Sequence, residues 1–301
     1  MIQVRCKNIN QTKSFPEGSS LLEVLAGFPE LNFEYQPVSA RVNNASQGLK
    51  FRVYQNRDVE FLDVRTSGGM RAYVRSLCFV RYKASQDVFP GSRLYMEHPI
   101  SHGYFGNFHK ADGSAVTEHD VDMIRARMQQ IVDEDMPFHR TEAITEDAIA
   151  LFRNSGFTAK VKLLETSGQI STDYYTLGDT VDYYYGPLVP STGYLKVFGI
   201  EPYYNGLLLR IPDRKNPRQL AEKIDMPRTF GIFAENVRWN VIMGLQNVGA
   251  VNKACQKGKA SELIQVSEAL QEKKIVKIAE DIYDRYYDEK NPVRMVLITG
   301  P

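Results

Sequence analysis

The sequence predicts an α+β protein, on three observations. Residues 1 to 62 carry short alternating runs around one capped apolar segment. Residues 63 to 225 mix amphipathic helical runs with aromatic, strand-like ones. Residues 226 to 292 carry helical patterning broken by glycines. A 301-residue chain with 43% hydrophobic and 24% charged residues has enough apolar surface for packed cores, which excludes a disordered chain. A net charge of +1 excludes a global field that gathers nucleic acid or membrane and leaves only local patches. The three cysteines, Cys6, Cys78 and Cys255, form no CxxC and read as reduced, buried thiols of a cytoplasmic protein. The N-terminus has no apolar run of signal-peptide length, and no stretch approaches the ~20 apolar residues of a membrane span.

In the first block, "IQVRCKNI" alternates as a strand, and "TKSFPE" does so more weakly. In "EGSSLLEVLAGF", Ser19 or Ser20 stands as a helix N-cap with Glu23 placed to close a capping box. "PVSARVNNASQGL" reads as strand, Asn-Asn turn and strand, and "DVEFLDV" closes the unit. Two strands, a helix and further strands form a β-grasp pattern. "FPEGSSLLEVL", "SARVNN" and "VEFL" resemble the TGS domain at the front of threonyl-tRNA synthetases and some GTPases, which implies an RNA- or ligand-binding module or a plain docking platform.

In the second block, Tyr73, Leu77, Val80 and Val88 recur at helical spacing up to the terminator "FPG". "RLYMEHPISHGYFGNF" reads as two strands around a turn containing Gly103. The next helix has Thr117 as cap, Glu118, Asp120 and Asp122 in its first turn, and Val121, Ile124, Met128 and Ile131 as its buried stripe. A second helix follows, with Thr145 as N-cap and Gly156 as C′ residue. "KVKLLET", "DYYTLGDTVDYYYGP" and "GYLKVFGI" read as strands.

"SHGYFGNF", "IVDEDMPFHR", "ITEDAIALF" and "GDTVDYYYGPLVPSTGYLKVFGI" follow, in order, the second domain of threonyl-tRNA synthetases, to which residues 63–225 are similar. The resemblance implies an editing fold, of the threonyl/alanyl-tRNA synthetase kind, that hydrolyses mischarged tRNA with an HxxxH pair and a Cys and a His around a Gly-Pro turn. Aligned on "FPG" and on Gly186-Pro187, those positions hold Arg75, Phe79, Tyr184 and Leu188. Phenylalanine and leucine neither ligate metal nor move protons, and arginine stays protonated. No catalytic or metal-binding residue is therefore expected, and the fold alone carries no activity. The candidate ligand cleft consists of Arg75, Phe79, His102, Tyr104, Tyr183, Tyr184, Tyr185 and Leu188. Strand alternation sends Tyr184 one way and its two neighbours the other. Arginine among aromatics stacks a base and pairs a phosphate, which reads as a retained nucleotide or RNA pocket. The rival reading is a lost site filled by bulky side chains to restore packing. His98, His102 and His109 read as solvated loop histidines, with His102 at the cleft rim.

In the last third, "LLLRI" reads as a strand, and Arg210, Arg214, Lys215 and Arg218 form a local basic cluster. "QLAEKI" and the segments after it read as helices separated by Pro227, Gly244 and Gly258. The final helix has Leu263, Val266, Leu270, Ile275, Ile278 and Ile282 as its apolar positions, and Trp239 is expected in a core. "RIPDR…NP", "FAENVRWNVIMGLQNVGAVN" and "LIQVSEALQEKKIVKIAEDI", then "VRMVLITGP", resemble bacterial uridine (nucleoside) kinases that carry a TGS domain and a synthetase-like domain before a P-loop kinase. The resemblance implies a helical connector over 226–292 and, over 293–301, the first kinase strand with Gly300 as the first P-loop glycine. The chain then stops where the kinase begins. ATP and Mg are implied for the full-length parent and no cofactor for this chain. The expected function is a non-catalytic, cytoplasmic recognition or regulatory region, with tRNA/RNA or a nucleotide, its own kinase domain or a second copy of itself as partners and no membrane. The alternatives are a free-standing deacylase of mischarged tRNA and a purely structural self-association module.

Overall fold

The computed structural model describes residues 1–293. The expected strand after Val293, with Gly300, lies outside the described residues. Strands and helices occur in segregated blocks, as an α+β fold requires. No helix among the described residues is long and apolar enough to cross a membrane.

The first block contains β1 (Ile2–Cys6), β2 (Gln11–Phe15), β3 (Ser19–Ser20), α1 (Leu21–Ala26), β4 (Ser39–Val42), β5 (Ala45–Gln47), β6 (Arg52–Val53) and β7 (Arg57–Leu62). Five strands form one sheet in the order β2-β1-β7-β4-β5, with β1 and β7 parallel and the other pairs antiparallel. Helix α1 starts at a complete capping box: the Ser20 hydroxyl accepts from the Glu23 amide at 3.2 Å, and the Glu23 carboxylate accepts from the Ser20 amide at 2.6 Å. Asn43 and Asn44 turn β4 into β5 with left-handed φ of 47° and 68°, which asparagine tolerates.

The second block runs through α2 (Ser67–Val88), β8 (Arg93–Ile100), β9 (Gly103–His109), α3 (Glu118–Asp133), β10 (His139–Ile144), α4 (Thr145–Asn154), α5 (Thr158–Glu165), β11 (Ser171–Leu177), β12 (Thr180–Asp182), β13 (Gly199–Tyr203) and β14 (Gly206–Arg210). An antiparallel sheet in the order β13-β14-β9-β8 packs against α2 and α3, and a second sheet runs β10-β11-β12. Leu77, Phe79 and Val80 of α2 meet Val121, Ile124, Met128 and Ile131 of α3 in one core with Leu207 and Leu209. This is the stripe that the periodicity of α3 predicts, and Thr117 closes a capping box with Asp120.

Several local expectations are corrected. The β8–β9 turn is made by Ser101 and His102, both at positive φ, and Gly103 opens β9. Thr145 does not cap α4; its hydroxyl pairs instead with that of Thr172 at 2.9 Å, tying the helix start to β11. "KVKLLET" is helical in α5, where Val161 and Leu164 share a buried face. Residues 193 to 198 form a short 3-10 turn and coil, so the strand starts only at Gly199. "QLAEKI" is extended: the Ala221 amide donates to the Ile211 carbonyl at 2.9 Å, and the Arg210 guanidinium holds the Ala221 carbonyl.

The last block holds α6 (Pro227–Ile242), α7 (Val248–Gln256) and α8 (Ala260–Tyr286), broken at Gly244 and Gly258 as expected. Trp239 is exposed on α6, and α8 buries none of its residues, contrary to the core expectation. Cys6 and Cys78 are buried but Cys255 is exposed. His98 is not a solvated loop residue; its ring stacks on Phe233 of α6 at 3.8 Å.

Helix α2 starts at Thr66, whose hydroxyl accepts from the Gly69 amide at 3.0 Å. A Cβ on Gly69 would stand 2.0 Å from the Asp63 carbonyl oxygen, so the helix enters the fold only over a glycine. Gly69→Ala is expected to destabilise the protein by at least ~1–3 kcal/mol, and Thr66→Ala by ~1 kcal/mol, read as urea midpoints. An unchanged midpoint for Gly69→Ala would contradict this geometry.

Candidate functional site

Helix α2 and the turn that follows β12 build the site. Ser76 ties them: its hydroxyl accepts from the Val189 amide at 2.9 Å while donating to the Ala72 carbonyl at 2.8 Å. Gly186 lies at φ +101°, and the Arg75 guanidinium stands 3.0 Å from where its Cβ would be, so only glycine suits both the backbone and the neighbour. The Phe79 ring then meets Tyr184 at 5.5 Å and Phe138 at 5.8 Å, and Leu188 closes the same cluster.

Arg75, Phe79, Tyr184 and Leu188 are therefore brought together, as the alignment of the two motifs implied. Tyr104, half-buried on β9, packs against the same core and shares the surroundings of Arg75 and Cys78. The Tyr183 and Tyr185 rings meet edge to face at 5.5 Å, and Tyr185 is exposed. The split between Tyr184 and its neighbours holds even though β12 ends at Asp182. His102 is not brought to this cluster; its Nδ1 lies 3.1 Å from the Glu222 carbonyl.

The cluster is a packed wall without reactive groups. Phe79 is fully buried and Leu188 nearly so, and burial raises the Tyr184 phenol well above its usual range. Arg75 is half-buried, with its guanidinium 3.5 Å from the Pro187 carbonyl and no carboxylate ion-paired with it among the described residues. Burial and neighbouring Arg71 both disfavour its charge. These residues do not fit a metal: two offer no donor atom and the guanidinium has no lone pair to give. No group of three or more His, Cys, Asp or Glu side chains stands together for a metal among the described residues.

The polar part of the cleft lies on the other side of Tyr184, where Tyr183 and Tyr184 of the expected set line it but the expected set holds none of its charged groups. A cleft of about 680 Å³ is lined by Cys78 and Tyr82 of α2, Met96 of β8, Phe157 and Lys160 by α5, and Asp182. The Lys160 ammonium pairs with the Asp182 carboxylate and sits 3.9 Å from the Phe157 ring. Burial lowers it below the ordinary lysine range, and the side chain stays 24% exposed to the cleft. Burial holds Cys78 as a thiol, raised to about 11. Arg81, fully buried beneath this wall, has no carboxylate partner among the described residues. It stands one helical turn past Leu77 on the buried stripe of α2, so its burial was legible from spacing alone. Lys160 was hidden by the expectation that its segment was a strand.

A second cleft, of about 650 Å³, opens between the β5–β6 loop and β10 and carries Lys50, Arg52, His139 and Arg140 against Glu142 and Asp173. Lys50 donates to the Phe138 carbonyl at 3.1 Å, and burial lowers its ammonium. The basic cluster expected nearer the C-terminus is largely committed to local structure: Arg210 to Glu201, Arg214 to the Arg65 carbonyl, and Arg218 over the Tyr35 ring.

An α+β chain with a small N-terminal sheet docked on a helix-backed cleft is the class that fold and site define, and it is consistent with a synthetase editing-like domain. The chain is homologous to part of the threonine–tRNA ligases. It is 28% identical over 244 residues to the threonine–tRNA ligase of Syntrophotalea carbinolica, covering 76% of this chain and 38% of that protein. It is 30% identical over 204 residues to that of Syntrophomonas wolfei, covering 66% and 31%. The enzyme of Carboxydothermus hydrogenoformans is 28% identical over 200 residues. The chain thus spans about a third of the length of these relatives. No protein-family model matches it.

Burial raises the phenols of Tyr73, Tyr82 and Tyr184 above the ordinary value of 10.0, that of Tyr82 to about 12. Their contribution to stability is whole below pH 10.0, where the unfolded phenols ionise, and is lost as pH climbs through the raised folded values. The urea midpoint is expected to fall above that pH, with tyrosinate absorbance lagging until unfolding. Complete titration of every tyrosine in the folded protein would refute the buried wall. Phe79→Ala is expected to cost ~3–5 kcal/mol, read in the same unfolding assay.

Proposed function

We propose that the chain is a tRNA-binding module that receives the acceptor end of tRNA at the cleft and leaves its ester bond intact. One observation carries the second half: Phe79, Tyr184 and Leu188 form a packed wall at the positions where the resemblance implies metal or proton-transfer groups. The first half is supported by homology to threonine–tRNA ligases and by cationic side chains at that wall and beside it, Arg75 within it and Lys50, Arg52 and Arg140 in the neighbouring cleft. Unstacked bases lie well against tyrosines such as Tyr82 and Tyr183, and phosphates against arginines.

The second reading is the free-standing deacylase, which the kinship with tRNA ligases suits directly. Lys160 is the observation in its favour. An amine whose proton burial has loosened, beside Asp182 in a cleft open to solvent, is able to orient or deprotonate a water. The kinase-linked role, with ATP and Mg supplied to a following domain, and the self-association role draw on sequence resemblance and patterning alone; the comparisons add nothing to either.

Filter binding of tRNA at two salt concentrations tests the main reading. The affinity is expected to fall steeply as salt rises, because phosphate contacts release counterions. Arg75→Ala and Arg140→Ala are each expected to weaken binding by ~3–10-fold and to flatten the salt slope by about one. Seryl-tRNA incubated with the protein is expected to decay at the uncatalysed rate. Accelerated decay that Lys160→Met abolishes would replace the main reading with the second. Binding that ignores salt and both arginines would sink both.

A further inference from the structure

Arg81 is fully buried in α2 and has no carboxylate partner among the described residues. Its Nη1 lies 3.4 Å from the Tyr104 carbonyl, its Nη2 touches the Met96 sulfur, and its Nε has no partner. A thioether is a weak acceptor, and one long bond to a carbonyl does little for a desolvated guanidinium. Cys78 and Tyr184, which line the 680 Å³ cleft, are also its neighbours. The unpaired charge therefore lies directly under the cleft wall, with Met96 between it and the opening.

Met96 sits where β8 breaks register with β9, at the bulge between Met96 and His98. A bulge re-aims a side chain, and methionine moves among rotamers at little cost. Met96 is 42% exposed, so its chain has open space to swing into. Tyr82, Phe157 and Tyr184 give the cleft aromatic faces, Lys160 and Arg93 line it as cations and Asp182 and Glu97 as carboxylates, and the volume is that of a small-molecule pocket.

We propose that this cleft binds a nucleoside phosphomonoester, whose phosphate displaces Met96 to pair with Arg81 while its base lies against the aromatic wall. The group has the charge that Arg81 lacks and the flat face that the tyrosines offer. The same chemistry is presented by a free mononucleotide and by the 3′-phosphorylated end of an RNA. The inference uses the cleft of the tRNA-binding reading and deepens it, but it concerns a terminal phosphomonoester, which an intact acceptor end lacks. The two therefore stand or fall on different ligands.

Calorimetry on the full chain compares adenosine and uridine with their 5′-monophosphates, and a CCA trinucleotide with and without a 3′-phosphate. The phosphate is expected to tighten binding by about tenfold or more in at least one pair. The free nucleotides and the trinucleotide identify which source fits. Arg81→Met is expected to abolish that gain while raising the thermal midpoint, since it removes an unpaired buried charge. Met96→Ala leaves Arg81 in place and opens its cover, and is expected to tighten phosphate binding several-fold. Equal affinity with and without phosphate in every pair, together with no effect of Met96→Ala, overturns the proposal even if tRNA binding by the salt assay stands. An Arg81→Met protein that is less stable and keeps its phosphate preference overturns it as well.

Discussion

The approach of the Gly186–Pro187 turn to helix α2 is the constraint on which the rest of this structure depends. A single hydroxyl, that of Ser76, bonds both elements, and Gly186 makes room for the Arg75 guanidinium. Tyr184 is thereby driven against Phe79, and Val189 and Leu188 join the core shared by α2, α3 and the four-stranded sheet. Helix α2 reaches this position because Thr66 and Gly69 start it close against the Asp63 carbonyl, at the end of the N-terminal sheet. The small sheet, the helix and the site are consequently one mechanical unit, and the Lys50 bond to Phe138 adds a second tie between the blocks.

The cleft divides its chemistry across Tyr184. On one side, aromatic and aliphatic side chains fill the space where the family resemblance implies reactive groups. Buried rings at such contacts favour stability and withhold proton transfer. On the other side, Lys160, Asp182 and the hidden Arg81 keep charge beneath an apolar roof. Isolated buried charge is costly unless paired. A fold that had turned wholly to packing would have no use for an arginine in the apolar stripe of its most buried helix. That tension separates a cleft with a ligand from one that is merely filled.

The C-terminal helices are attached at a few separate points. Helix α6 enters through Phe230 and Phe233, which meet His98, Tyr203 and Tyr204 at the sheet edge. Helix α7 touches α5, where Asn252 donates to Thr166 at 3.2 Å. Helix α8 is tied to α6 by the Lys274–Glu235 pair. Surface pairs of this kind contribute ~0–1 kcal/mol, so this arm owes little of its position to electrostatics.

Much of this protein was determined by local chemistry and was legible in the sequence. The Ser20–Glu23 and Thr117–Asp120 capping boxes, the Asn43–Asn44 turn, the stripe of α3 and the helix breaks at Gly244 and Gly258 each depend on neighbours within a few residues. The meeting of Arg75 and Phe79 with Tyr184 and Leu188 is not local, and it was legible only through the two motifs of the family resemblance. Tertiary contacts decided the rest. Residues 158–165 coil because Val161 and Leu164 share a buried face, whereas the run "KVKLLE" suits a strand equally well by alternation. Thr145 gave up its cap for a partner on β11, and Trp239 remained outside because no described element covers α6 there. The cleft of Lys160 and Asp182, with Arg81 beneath it, joins residues distant in the chain, and the desolvation that shifts Lys160 and Arg81 arises only when the elements close around them.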